Sequence, residues 1–219
     1  MAQKLPIDQL ELVNNFLRFI RRNSTLLDGF NRYPLGSILN LDETPVLFEF
    51  LAEYTYYLTG SKTISGKTLR SGWGKRQATL ILYIFADGSK PIKPKLLFHG
   101  EENGRILVVE SQHHDPGVTV EFNPKAYNNE RAFTMWLESE YAPYRSQVGG
   151  DFLMVLDQAS FHRTPRILDY LRQQSTIPAI VPFGCTPLVQ PLDTRANKAF
   201  EDQLGFWIAD LTARSTVPG

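Results

Sequence analysis

Three aspartates close apolar stretches of the sequence and could share one chemical task. Asp42 ends SILNLD, Asp157 ends FLMVLD, and Asp193 ends PLVQPLD, with 35 residues between it and Asp157. Carboxylates that converge at one edge of a sheet repel one another and are costly to desolvate, and a divalent cation removes that conflict. Mg²⁺ takes such oxygen ligands and keeps water molecules for substrate phosphates. The three acids therefore predict a metal site, and a pair of such ions can cleave phosphodiesters.

Each aspartate alone also has a plainer explanation. Asp193 could cap a helix, because a helix N-terminus favours a negative side chain. Asp157 could order the turn before HRTPR, and Asp42 could be a turn residue before Thr44 and Pro45. The metal hypothesis depends on all three acids occurring together, two after predicted strands and one at a predicted helix start.

The elements that must position these acids predict an α/β fold. Hydrophobic periodicity and turn residues alternate in a way typical of a mixed central β-sheet flanked by helices. Functional residues in such sheets gather at the carboxyl ends of strands. Helices are predicted within 7–28, 128–142, 164–174 and 193–213, and strands at 37–42, 78–85, 93–100, 117–122, 151–157 and 176–183.

Composition narrows the class of protein. The chain has 219 residues and 42% hydrophobic residues, enough for one α/β domain with a full core. Cys185 is the only cysteine, which excludes an internal disulfide and a zinc site built from cysteines. The sequence contains no apolar run of membrane-spanning length and does not start like a secretory signal, so we expect an intracellular protein without a membrane partner.

Basic residues cluster although the formal net charge is zero. A zero charge argues weakly against an autonomous nucleic-acid binder. The segment 62–76 nevertheless contains five basic residues and no acidic one, and KPIKPK at 90–95 adds three lysines. These segments could be solvated loops or a surface that follows phosphates. The basic residues of the first segment are Lys62, Lys67, Arg70, Lys75 and Arg76.

Five short motifs occur in order along the chain. They are NLDET at 40–44, ADG at 86–88, LLFHG at 96–100, LDQASFH at 156–162 and TPLVQPLD at 186–193. Together they resemble the catalytic domain of DDE-superfamily transposases, in the pogo-type branch of the mariner superfamily, related to the Jerky proteins and centromere protein B. The resemblance covers roughly residues 30–205. LDQASFH followed by QPLD is the most specific part, whereas NLDET alone is weak.

The resemblance implies a ribonuclease-H-like fold and a site for two Mg²⁺ or Mn²⁺ ions. The three acids of the family correspond to Asp42, Asp157 and Asp193. In the family, a metal-activated water cuts a DNA strand, and the freed 3′-hydroxyl then attacks target DNA. The implied partners are transposon ends and a target duplex, the implied location is the nucleus, and a homodimer is compatible with this interpretation. The resemblance also favours DNA contact by the basic segment 62–76.

Three further residues lie beside the acids without a settled role. Glu43 should point away from Asp42, because successive strand residues face opposite ways, and we expect it to order the turn or support the site rather than to bind metal. His162 could lie near the metals, as the resemblance suggests, or bond the backbone of its turn. Gln190 belongs to the QPLD motif and is assigned to the surroundings of the site.

The resemblance also defines a domain organisation and two rival functions. Residues 1–29 are predicted to form a helix leading into a catalytic domain at 30–219, which lacks the family's upstream helix-turn-helix module. One rival is a domesticated, transposase-derived DNA-binding protein without catalysis; the presence of all three acids favours an active ancestor. The other is a plain nuclease for RNA–DNA hybrids, which QPLD and the motif order disfavour.

Overall fold

A six-stranded mixed sheet forms the centre of the domain. The computed structural model describes residues 9–24, 33–47, 77–89, 91–101, 104 and 113–215. The strands lie in the order β4-β3-β2-β1-β5-β6. β1, β2 and β3 form an antiparallel meander, while β5 lies parallel to β1, β6 parallel to β5, and β4 parallel to β3. The strands are β1 Ile38–Leu47, β2 Gln77–Phe85, β3 Lys95–His99, β4 Thr119–Asn123, β5 Phe152–Leu156 and β6 Thr176–Ile180.

Helices flank this sheet, as the sequence predicts. A π-helical turn at Leu137–Tyr141 joins α2 to α3, and a second one at Leu192–Ala196 leads into α6. No helix in the described part of the chain is long and apolar enough to cross a membrane. The helices are α1 Gln9–Ser24, α2 Glu130–Trp136, α3 Ala142–Gln147, α4 Pro165–Gln173, α5 Thr186–Val189 and α6 Asn197–Ser215.

The two faces of β1 and β5 pack against different clusters. Leu39 and Met154 belong to the larger core, which includes Trp136 of α2. Ile38 and Leu153 belong to a second core on the other face, together with Phe16 of α1. Because strand side chains alternate between faces, Asp42 follows the face of Ile38, and the residue after it follows the face of Leu39. The division of the chain at residue 29 stays a prediction.

β1 is longer than the sequence predicts, and Asp42 does not end it. The strand continues to Leu47 and pairs with β2 from Leu39 to its last residue. Its pairing with β5, however, extends only from Ile38 to Asn40. The second half of β1 is therefore paired with β2 alone among the described strands, a position that tolerates Pro45. Asp42 lies where β1 parts from β5, not where β1 stops.

Two predicted helix starts are confirmed by their caps. The side chain of Asn129 accepts a hydrogen bond of 3.0 Å from the backbone N–H of Ala132. The hydroxyl of Thr164 accepts one of 3.4 Å from the N–H of Ile167, and Pro165 is the first residue of α4. Such caps satisfy N–H groups that have no partner within the helix.

One lysine counted with the basic segments lies in the core instead. Lys95 begins β3, is 2% exposed, forms an ion pair with Glu121, and donates a 3.0 Å hydrogen bond to the carbonyl of Ala132. A buried ammonium requires such partners. Lys95 therefore connects β3 to α2 through its hydrogen bond and to β4 through its ion pair. It does not contribute to a solvated basic surface.

Candidate metal site

Asp42 and Asp193 lie together on one face of the sheet. The side chain of Asn197 connects them, because its Nδ2 donates to Oδ2 of Asp42 at 2.7 Å and to Oδ1 of Asp193 at 3.4 Å. Asp42 comes from β1 and Asp193 from the π-helical turn that leads into α6. The structure thus brings two of the three predicted acids to one place from distant parts of the chain.

This pair of carboxyl groups is costly to ionise without a cation. Burial, the hydrogen bond with Asp193 and the charges of Asp193 and Glu43 raise the pKa of Asp42 to about 8, although the amide of Asn197 acts in the opposite direction. Desolvation and a neighbouring carboxylate both disfavour the charged form. A positive charge placed between the two groups would remove both penalties.

Asp157 lies at the end of β5 and is held by two donors. Nδ1 of His162 lies 2.7 Å from its Oδ1, and the backbone N–H of Ala159 donates to the same oxygen at 2.9 Å. Burial acts to raise the pKa of Asp157, but these hydrogen bonds and the charges of His162 and Arg163 outweigh it and hold the pKa below its ordinary value. Asp157 is therefore ionised at neutral pH.

His162 joins Asp157 to Glu43. The imidazole is buried, its Nε2 lies 3.6 Å from Oε1 of Glu43, and its ring packs edge-on against Phe133 at 4.8 Å between centroids. Burial acts to lower the pKa of His162, but the hydrogen bonds and charges of Asp157 and Glu43 raise it to about 9. Of the two roles left open by the sequence, the structure shows His162 bound to a carboxylate beside the site. Glu43 also accepts a hydrogen bond from Nδ2 of Asn128.

Both groups of acids follow the point where β1 parts from β5. The last paired residues of these parallel strands are Asn40 and Val155. Asp42 follows Asn40 by two residues along β1, and Asp157 follows Val155 by two residues, just beyond the end of β5. Glu43 follows Asp42 directly and, with Asp157 and His162, offers ligand atoms that lie within 4.8 Å of one another. The assignment of Asp42, Asp157 and Asp193 to one set of ligands stays a prediction.

Buried amides fasten the QPLD segment to β1. Nδ2 of Asn40 donates to the carbonyl of Val155 at 3.1 Å, and its Oδ1 accepts from the N–H of Leu192 at 3.0 Å. Nε2 of Gln190, which is fully buried, donates to the carbonyl of Leu41 at 3.4 Å. Gln190 therefore anchors the segment that presents Asp193, and its assignment to the surroundings of the site stays a prediction.

The chemistry of this donor set fits a divalent cation. Carboxylate oxygens are the ligands that Mg²⁺ and Mn²⁺ prefer. Two buried amide oxygens around the acids, Gln190 Oε1 and Asn197 Oδ1, have no hydrogen-bond partner among the described residues. Together with the raised pKa of Asp42, they fit a site that receives a cation.

Sequence reasoning missed two residues of the site. Asn197 follows Asp193 by four residues, a spacing at which helical side chains meet, so the predicted helix could have indicated it. Asn128 reaches Glu43 across 85 residues, and no local signal indicates that contact. The predicted DNA-binding residues Lys62, Lys67, Arg70, Lys75 and Arg76 lie outside the described residues, so their role stays a prediction.

Relatives of this chain are pogo-type transposable elements. The human protein Pogo transposable element with ZNF domain is 24% identical over 204 residues, which are 93% of this chain and 13% of that protein. The human Pogo transposable element with KRAB domain is 24% identical over 208 residues, which are 93% of this chain and 32% of that protein. The chain spans a third or less of the length of these curated relatives.

Solved structures with the same fold are those of Mos1 mariner transposase. The Mos1 paired end complex with Mn aligns with a TM-score of 0.58 at 14% identity, covering 93% of this chain and 51% of that chain. The Mos1 catalytic domain with raltegravir and Mg aligns with a TM-score of 0.52 at 14% identity, covering 93% of this chain and 76% of that chain. The likeness confirms the predicted ribonuclease-H-like fold.

A family match agrees with the motifs and with the fold. The family described as DDE superfamily endonuclease matches residues 75–206, which contain Asp157 and Asp193 and make up more than half of the chain. The match begins after Asp42, whose place beside Asp193 comes from the structure alone. The chain therefore belongs to the DDE superfamily endonucleases.

Proposed function

We propose that this domain cleaves DNA strands and transfers them to a new site, as in transposition. The observation that carries the proposal is the junction of β1 and β5. There Asp42 of β1 lies beside Asp193, and Asp157 follows the end of β5, the strand that pairs in parallel with β1. A site of this kind concentrates negative charge at a sheet edge, where a substrate phosphate and its counterions can meet it.

The residues that would hold Mg²⁺ or Mn²⁺ are Asp42, Asp157 and Asp193. When two ions are bound, they lower the pKa of a nucleophilic water or hydroxyl and stabilise the leaving oxygen of the phosphodiester. The protein contributes the positions of the carboxylates. His162 and the N–H of Ala159 fix the carboxylate of Asp157, and Asn197 fixes that of Asp42. No covalent enzyme intermediate is required, because positioning and charge stabilisation supply the catalysis.

The proposed partner is DNA, as transposon ends and a target duplex, and the proposed place of action is the nucleus. Support comes from the pogo-type relatives and from the Mos1 structures, one of which is a paired-end complex with the left transposon end. The described part of the chain adds two exposed arginines, Arg163 in the turn before α4 and Arg166 in the first turn of α4. Arg163 lies close enough to lower the pKa of Asp157, so its charge reaches the site. A homodimer remains compatible with this proposal.

Cleavage of labelled duplex DNA in Mn²⁺ tests the proposal. We expect the protein to produce nicks with 3′-hydroxyl ends, and we expect Asp42→Asn, Asp157→Asn and Asp193→Asn each to abolish them. Asp169→Asn is the matched control, since Asp169 is an exposed acid paired with Arg172 on α4. Full nicking by any of the three site variants would refute the metal assignment.

The same assay separates the proposal from its rivals. A protein that binds duplex DNA but does not nick it in Mn²⁺ would be the domesticated, non-catalytic alternative. Cleavage of an RNA–DNA hybrid without cleavage of duplex DNA would instead identify a hybrid-specific nuclease. A plasmid joined to a labelled oligonucleotide with a free 3′-hydroxyl would show strand transfer directly.

A further inference from the structure

A single buried amide lies between two of the proposed metal ligands. Nδ2 of Asn197 donates to Asp42 at 2.7 Å and to Asp193 at 3.4 Å. Asn197 is 7% exposed, so water does not compete effectively for these contacts. The amide nitrogen of one side chain thus donates to two neighbouring carboxyl groups.

The helix fixes Asn197 in this position. It is the first residue of α6 and lies four residues after Asp193, which places the two side chains on the same side of the helical turn. Phe200 and Leu204, further along α6, pack against the cluster of Val46, Ala78 and Leu80 on β1 and β2. The packing of α6 on the sheet therefore sets the distance between Asn197 and Asp42.

The amide nitrogen of Asn197 donates to both acids, whereas its amide oxygen is left without a donor among the described residues. Its Oδ1 is buried and has no hydrogen-bond partner among the described residues. An unsatisfied buried acceptor destabilises a protein, so a side chain that served only the fold would be expected to satisfy both of its ends. The orientation is instead the one that directs its donors to the carboxylates, as outer-shell groups do around metal-binding acids.

We propose that Asn197 is a positioning residue that holds Asp42 and Asp193 together for a shared divalent cation. This inference rests on the proposed metal site, but not on any activity towards DNA. Asn197 acts through the two aspartates and touches neither substrate nor the reacting atoms. It keeps the two carboxyl groups close before a cation arrives, and it keeps their orientation afterwards.

A double-mutant cycle in metal-free buffer tests the contact itself. Asn197→Ala should lower the melting temperature by about 3–8 °C in the wild-type background, because a buried hydrogen bond is lost. The same change in an Asp42→Ala background should cost less than about 2 °C, because the principal acceptor is already absent. Equal losses in both backgrounds would overturn the inference.

Mn²⁺ binding measured by calorimetry tests the positioning role. Asn197→Ala should weaken the affinity for Mn²⁺ by about tenfold or more, the usual cost of losing an outer-shell group. Asn123→Ala is the matched control for a purely structural loss. Asn123 is also a buried asparagine, but it lies on β4 and donates to the carbonyl of Tyr127. Equal Mn²⁺ affinity for Asn197→Ala and wild type would refute the role.

A second variant tests the same role if Asn197→Ala does not fold. Asn197→Asp keeps the shape but replaces the donor with a third carboxylate. Its melting temperature in metal-free buffer should fall below that of the wild type, and Mn²⁺ should raise it by more than it raises the wild type. An equal rise would count against the inference. Because these arms use no DNA, a failure of cleavage and a failure of positioning are distinguishable.

Discussion

Nδ1 of His162 lies 2.7 Å from Oδ1 of Asp157, and the imidazole is fully buried against Phe133. Packing against Phe133 fixes the imidazole ring of His162, and the ring in turn fixes the orientation of the Asp157 carboxylate. His162 also faces Glu43, so one side chain lies between two carboxylates, one on β1 and one directly after β5.

Replacing His162 should destabilise the fold and weaken catalysis together. His162→Ala removes a buried ring and leaves Asp157 and Glu43 facing each other without a cation. We expect a loss of about 2–4 kcal/mol in the free energy of unfolding, since both carboxylates keep some solvent. Urea denaturation of the metal-free protein measures this loss, and Mn²⁺-dependent nicking of duplex DNA should fall in the same variant.

His113→Ala is the control for that measurement, because His113 is an exposed histidine in the loop before β4. It should change the unfolding free energy by less than about 0.5 kcal/mol. If the two alanine variants were equally stable and equally active, the contact with Asp157 would have no energetic consequence.

Much of the scaffold could be predicted from local patterns. β5 is a run of five buried residues, and a continuous apolar run is typical of a strand covered on both faces. The caps Asn129 and Thr164 follow from residue type and position alone. The positions of Asp157 and Asp193 depend on such local signals, so the sequence predicts that Asp157 follows a strand and that Asp193 lies at a helix start.

The position of Asp42 could not be predicted in the same way. Pro45 suggested that the strand ends, but a strand paired on one side accepts a proline, and that pairing is decided by β2 and β5. The contact of Asn128 with Glu43 likewise depends on the packing of distant segments. Glu43 was expected to support the site rather than to bind metal, and its contact with His162 leaves both roles open.

The stability of the metal-free protein should fall as pH rises from about 4 to about 8. The folded-state pKa of Asp42 is raised from 3.8 to about 8, so in this range the folded protein keeps a proton that the unfolded chain has lost. Stability then decreases with pH, by at most about 1.4 kcal/mol per pH unit for one group. Thermal melts in a chelating buffer between pH 4 and pH 9 measure the decline.

Two variants separate the contributions of Asp42 and His162 to this pH profile. Asp42→Asn should flatten the profile between pH 4 and pH 6, where Asp42 is the principal group with a raised pKa. His162→Gln should flatten it between pH 6.5 and pH 9, because the raised pKa of His162, about 9, adds stability that is lost in that window. A wild-type profile that rises with pH from 4 to 8 would contradict both assignments.

Divalent metal should stabilise the fold. A cation that binds only the native state adds stability by mass action, and here it also relieves repulsion among the carboxylates. We expect Mn²⁺ or Mg²⁺ to raise the melting temperature, and we expect Asp157→Ala to lose most of that rise. Asp169→Ala should keep it, because Asp169 is an exposed acid on α4. An equal response of the wild type and Asp157→Ala would exclude Asp157 from the site.

DNA binding should be weak, independent of sequence and steeply dependent on salt. Contacts of basic side chains with phosphates release counterions, so each contact contributes roughly 0.9 to the slope of log affinity against log salt. Replacing Lys67, Arg70, Lys75 and Arg76 together with alanine should weaken binding and reduce that slope by roughly 3. Filter binding or fluorescence anisotropy across a salt series measures both quantities.

Two further sets of substitutions test DNA binding: the three aspartates, and Arg163 together with Arg166. Replacing Asp42, Asp157 and Asp193 together with asparagine should leave binding in metal-free buffer equal or stronger, because it removes negative charge from the path of the phosphates. The double variant Arg163→Ala and Arg166→Ala should also weaken binding, since both arginines are exposed and Arg163 is electrostatically coupled to Asp157. If the four-alanine variant bound like the parent while the α4 variant did not, the phosphates would follow α4 rather than the segment 62–76. Unchanged affinity in both variants would mean that the DNA path uses neither surface.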